Sequence, residues 1–284
     1  MKNISAFLDE ESHSASVCNY AIWAAEKLQA PLHMLHILAC RLEQPAGVIK
    51  ASSLQFASQD ALLRERLENQ QREAALAAAY GQQLLAAARI KAAVKGLVGE
   101  RYSEQQGLLK KLLPAIEQDA QWVVAGQHHF SGNNPNDWTS TSVASELRSL
   151  QRPLLVSAER FTPPSRVILA FDGLLTGFNA VDAVAGNALL KGSKCHLVMA
   201  IGALESREEK MIWARSTLEA HGFDVTSSIV AGDPQTVLHE SIANYAADLL
   251  VMGAYGQTKD RQLVVGSTIA RMLRTSPISC LVLR

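Results

Sequence analysis

The residues best suited to holding a ligand lie near the C-terminal end, in Gly253-Ala-Tyr-Gly256 and, nine residues on, Gly266-Ser267-Thr268. Glycine lets the backbone approach a bound group closely and turn without a Cβ penalty. Ser267 and Thr268 open the segment "IARMLR", whose Ile269, Met272 and Leu273 fall on one helical face. A hydroxyl at a helix N-terminus can cap the helix or donate to a phosphate oxygen, and the unpaired N–H groups there attract anions. Two glycine turns beside such an end make a phosphate cradle. Glycines also terminate strands, and serines also cap helices, in domains that bind nothing. The pattern is not G-x-G-x-x-G after a first strand, nor a P-loop, because no lysine precedes Ser267.

The elements that must position these residues are legible around them. In the second half, residues 167–171, 195–201, 225–230, 249–252 and 280–283 are short apolar runs separated by helical patterns. Strands apolar throughout belong to a parallel sheet covered on both faces. Gly232-Asp233-Pro234 is a helix start, followed by Leu238, Ile242 and Tyr245 at helical spacing. The first half repeats the pattern. "AFLD" ending in Asp9 parallels "AFD" ending in Asp172, "LHMLHIL" parallels "CHLVMAI", and "QWVVAG" parallels "DLLVMG". "SAERFTPPS" reads as the linker. The expected fold is α/β: two tandem doubly wound domains, residues 1–157 and 163–284, each a five-stranded parallel sheet with helices on both faces. Between its second and third strands the first half carries an Ala-, Leu-, Glu- and Gln-rich stretch, "LLRERLENQQREAALAAAYGQQLLAAAR", which predicts a long helix or a helical hairpin packed on the core.

Composition narrows the function classes. Hydrophobic residues at 48% and charged residues at 19% support packed cores. Lys+Arg and Asp+Glu both number 27, so no net field recruits nucleic acid or an anionic membrane. Cys18, Cys40, Cys195 and Cys280 lack CxxC spacing and read as core residues of a reducing compartment. The start, "MKNISAFLDEES", turns acidic after one lysine and does not read as a signal peptide, and no apolar run approaches the ~20 residues of a bilayer span. A cytoplasmic protein is expected.

Gly253-x2-Gly256-x9-Gly266-Ser267-Thr268 resembles the nucleotide-binding motif of the universal stress protein family, whose ATP-binding members carry G-x2-G-x9-G-[ST] here. The likeness extends to "AFDG", "GDP", "ADLLVMGAYG" and the "GST…SP…CLVL" close, and the whole chain looks like a tandem member. The resemblance implies ATP, with or without Mg²⁺, in the second half. Asp172 would sit against the adenine or ribose, and Val198 would supply backbone contacts to the adenine. Met252 and Gly253 would line the ribose-phosphate side, and Gly256, Gly266, Ser267 and Thr268 would hold the phosphates. It also implies a stress-related regulatory or sensor role with a protein partner, and dimer-like pairing through the last strands, here within one chain or in a homodimer. A scaffold without nucleotide and a slow ATPase are the alternatives. In the first half His129 stands where Gly256 would, and Thr141-Ser142-Val143 replaces Gly266-Ser267-Thr268. That half is expected to have lost ATP.

Other chemistry finds less support. His128 and His129 are expected to be solvated, and His33 and His36 point to opposite faces if they lie on a strand. No cluster has structural zinc spacing, so no metal site is expected. No nucleophile elbow is present, and no catalytic residue is assigned.

Overall fold

The computed structural model describes residues 2–9, 12–38, 56–97, 100–106, 109–131, 150–201, 208–254 and 267–283. The first half contains β1 (Asn3–Leu8), α1 (Ser14–Leu28), β2 (Leu32–Leu38), α2 (Phe56–Val94), β3 (Arg101–Gln106), α3 (Leu109–Asp119), β4 (Ala120–Gly126), the short α4 (His128–Ser131) and β5 (Leu154–Ser157). The second contains β6 (Arg166–Ala170), α5 (Leu175–Ala185), β7 (Lys194–Ile201), α6 (Glu208–Ala220), β8 (Asp224–Ala231), α7 (Pro234–Tyr245), β9 (Leu249–Gly253), α8 (Ser267–Thr275) and β10 (Ser279–Leu283).

All these strands form a single ten-stranded sheet in the order β3-β2-β1-β4-β5-β10-β9-β6-β7-β8. Each half contributes five parallel strands, and the halves meet through the antiparallel pair β5–β10, with Leu155 opposite Leu281. The pairing follows from edge chemistry: two apolar final strands would each be an unpaired edge, and joining them removes both. The linker between the halves is fastened locally. The Asp248 carboxylate accepts Ser165 N–H at 2.9 Å and Arg166 N–H at 3.0 Å, and Phe161 packs edge-on against Tyr20 at 4.7 Å.

Period-2 alternation explains why the strands are apolar throughout. Ile4, Val124, Leu155, Leu169, Val251 and Leu281 share one core, under α1, α2, α5 and α6. Phe7, Val123, Val156, Ile168, Leu250 and Val282 share the opposite core, under α3, α4, α7 and α8. Helix starts follow local chemistry. Asp233 caps α7 by accepting the N–H groups of Gln235 at 3.1 Å and Thr236 at 3.2 Å, and Pro234 takes the first position.

Two features differ from the sequence expectation. The alanine-rich stretch is one helix of 39 residues, the first of its two expected forms, but among its described side chains those in the core, Leu85, Ala88 and Ala92, belong to its C-terminal part. Its side chains described between positions 64 and 76 are exposed. The edge strand β3, "RYSEQQ", was not recognisable as a strand: lying at the sheet edge beyond β2, it is polar and carries no buried apolar face. Cys18, Cys195 and Cys280 are buried, and burial pushes the Cys280 thiol up to about 12, in keeping with core packing.

Candidate functional site

In each half the strand order reverses at its first strand, between β6 and β9 in the second and between β1 and β4 in the first. A doubly wound sheet binds ligands at this switch point, beyond the carboxyl ends of the strands. Asp172 follows β6 by two residues, and Gly253 ends the adjacent β9, so the structure places both at the switch point of the second half.

Asp172 is held by its own turn. Its Oδ1 accepts Leu174 N–H at 2.9 Å, its Oδ2 accepts the Thr176 hydroxyl at 3.4 Å, and Gly173 takes a positive φ of 67°. The Lys210 ammonium donates to the Gly173 carbonyl at 2.9 Å. Both carboxylate oxygens thus accept from the turn that leads into α5. Gly177 is part of the same packing: a Cβ there would lie 2.5 Å from Asp172 Oδ1.

The structure gives Gly253 a reason that the sequence hid. A Cβ at this position would lie 2.7 Å from the Thr176 carbonyl oxygen and 2.9 Å from Ala180 Cβ. The glycine admits the first turn of α5 against the end of β9, and so sets how close Asp172's turn comes to the strand ends. The Met252 side chain is buried in the core, so any role at the site falls to its backbone. Val198 is likewise buried, in register with Ala170, and its carbonyl accepts Phe171 N–H at 2.9 Å. Backbone groups of a parallel strand face its two neighbours alternately. Ala200 is thus the next residue whose N–H and C=O face the β6 side, and it lies past the last residue of that strand.

Ser267 begins α8, and Thr268 is half-buried in its first turn. Ile269, Met272 and Leu273 are buried, so the amphipathic face read from the sequence anchors the helix. Gly256 and Gly266, and Thr141, Ser142 and Val143 of the first half, lie outside the described residues.

The corresponding corner of the first half is built differently. Asp9 follows β1, and Gly126 ends β4, but α4 then brings two imidazoles onto the aspartate. His128 Nε2 lies 2.5 Å and His129 Nε2 2.9 Å from Asp9 Oδ2. Burial would raise the Asp9 carboxyl, but hydrogen bonds from His128 and His129 overturn this and hold it well below the usual carboxylate range. The two histidines are largely buried, with side chains 19% and 13% exposed, which corrects their reading as solvated loop residues. Gly126 makes room for this, since a Cβ there would sit 2.5 Å from His128 Nδ1, and His13 packs against the His128 ring at 4.7 Å. Sequence reasoning marked Asp9, Gly126 and His129 as counterparts of Asp172, Gly253 and Gly256. That alignment, with a histidine replacing a glycine opposite an aspartate, was the available signal for the cluster. His33 and His36 take no part in it. They are buried on β2, His33 bonded to Ser103 at 2.8 Å and His36 facing Glu104 at 3.7 Å.

Comparison with known proteins agrees with this architecture. The Universal stress protein family matches residues 1–149 and again 165–284, and the chain belongs to that family as a tandem member. Universal stress protein Slr1230 of Synechocystis sp. is 25% identical over 288 residues, covering all of both chains. A universal stress protein from Archaeoglobus fulgidus DSM 4304 has the same fold, with a TM-score of 0.66 and 16% identity over 99% of this chain and 96% of that one. The functionally unknown protein PA1789 of Pseudomonas aeruginosa PAO1 gives a TM-score of 0.58 and 15% identity, over 100% and 92% of the two chains. No helix among the described residues is long and apolar enough to cross a membrane.

Proposed function

We propose that this stress-related protein binds one ATP per chain, in the second half, and acts as a nucleotide-dependent regulatory or sensor protein toward a protein partner. The observation that carries the reading is the meeting of Asp172 and Gly253 at the switch point, followed by the spacing Gly253-x2-Gly256-x9-Gly266-Ser267-Thr268. The two units are residues 1–157 and 163–284.

In this reading Asp172 accepts from the ribose or adenine, and the main chain of β7 lines the adenine. The engaged carbonyl of Val198 favours Ala200, two residues on, as the one whose backbone groups meet the base. Met252 and Gly253 line the ribose-phosphate side through their backbone. Gly256, Gly266, Ser267 and Thr268 hold the phosphates with amides and hydroxyls at the start of α8, and Mg²⁺, where it accompanies ATP, neutralises phosphate charge. The first half differs at the matching corner, where His128 and His129 engage Asp9, the counterpart of Asp172.

Titration calorimetry with ATP tests this. One site per chain is expected, weakened at least tenfold, about 1.4 kcal/mol, by Asp172→Ala or Gly256→Val. Gly256→Val should keep the parent's circular dichroism and cooperative melting. Two equivalent sites per chain, or full affinity in both variants, would show the reading to be wrong.

A further inference from the structure

We propose that the first half carries a divalent transition-metal site, with zinc as its ion, formed by Asp9, His128 and His129. One ligand atom from each of the three lies within 4.8 Å of the others. Both imidazole Nε2 atoms point at the same carboxylate oxygen, at 2.5 and 2.9 Å. Tetrahedral zinc with bonds of about 2.0–2.1 Å keeps ligand atoms roughly 3.3 Å apart. Each Asp9–histidine separation therefore widens by less than about 1 Å to admit the ion, a side-chain adjustment at the turn after β1 and at α4.

Two imidazoles and a carboxylate are a borderline donor set, suited to zinc and its neighbours rather than to calcium or magnesium. The carboxylate offsets part of the ion's charge in a half-buried corner. Partial exposure of all three side chains leaves the fourth position to water.

The alternative is a plain hydrogen-bonded trio, and two observations count against it. First, the fold does not require it: the second half holds its matching aspartate, Asp172, with the Leu174 N–H and the Thr176 hydroxyl and without a histidine. Second, Asp9 and the His128 ring are held in place from outside, as metal ligands are. The Ser14 hydroxyl donates to the Asp9 carbonyl at 2.5 Å and lies 3.1 Å from Asp9 Oδ1, while accepting Asp9 N–H at 3.0 Å. The His128 ring is pressed on one side by Gly126, where a Cβ would collide, and on another by His13.

The test uses full-length protein stripped with a chelator and titrated with ZnCl₂ by calorimetry. One saturable site per chain is expected, weakened about tenfold or more by His128→Gln and by His129→Gln in proteins with the parent's circular dichroism. X-ray absorption on the zinc-loaded wild type gives an answer that depends on no variant: two imidazoles with oxygen donors and no sulfur shell. Absence of a saturable site, affinity unchanged by both substitutions, or thiolate ligation would each overturn the proposal. ATP titration of the same samples reads the second half separately, so failure here and failure of the nucleotide reading are distinguishable.

Discussion

Gly253→Ala separates two roles that one glycine can play. If it serves to bring the chain close to a ligand, its substitution should spare the fold and lower nucleotide affinity. The structure predicts the opposite order of effects. The new methyl would meet the Thr176 carbonyl oxygen at 2.7 Å and Ala180 Cβ at 2.9 Å, where ordinary contacts run from 3.4 to 4 Å. The first turn of α5 must back away by more than half an ångström, and the backbone oxygen cannot rotate aside. Overpacking of this kind costs about 1–3 kcal/mol. The reduced freedom of the unfolded chain returns about 0.4–1 kcal/mol, since Gly253 does not have a positive φ. A net loss of about 1–2 kcal/mol is expected, which for a chain of this size lowers Tm by roughly 2–8 °C. Calorimetric melting without nucleotide measures it, and ATP titration of the same sample shows a weaker secondary loss as Asp172's turn shifts with α5. An unchanged Tm accompanied by lost ATP affinity would refute the packing argument and return the glycine to the ligand.

Two further outcomes follow from the core and the buried histidines. Leu155→Ala, at the fully buried junction strand, should lower the unfolding free energy by about 2–5 kcal/mol in urea titration; a change below about 1 kcal/mol would mean that β5 is not packed between the halves. Burial, with Arg101 nearby, pushes the His33 imidazole down to about 4 from 6.5. The unfolded chain then takes up the proton first, so stability present above pH 6.5 is lost as pH falls toward 4, by at most about 3 kcal/mol. His33→Gln should flatten the decline of Tm between pH 6.5 and 4, and an unaltered slope would show that His33 does not drive it.

Much of the molecule is local chemistry and was readable as such. Runs such as "VILAF" and "LLVMG" are apolar at every position, and a strand with no polar face has to be covered twice. Asp233-Pro234 carries its helix start in two residues. The glycine spacing after β9 and the Asp9–Asp172 repeat were likewise visible, because each is a backbone requirement met by neighbours in sequence. What the chain order could not carry is which atoms fill a given volume once the strands are ranked side by side. His128 reaches Asp9 across 119 residues, and it does so only because β1 and β4 lie adjacent at the switch point. Gly253 is empty of a side chain because α5, from another crossover, occupies that space. The pairing of the two final strands was expected, but its antiparallel register, with Leu155 opposite Leu281, is fixed only in the assembled sheet. Periodicity and caps are properties of a segment and survive in isolation. Convergence and exclusion belong to pairs of segments, and only the sheet order decides which pairs meet.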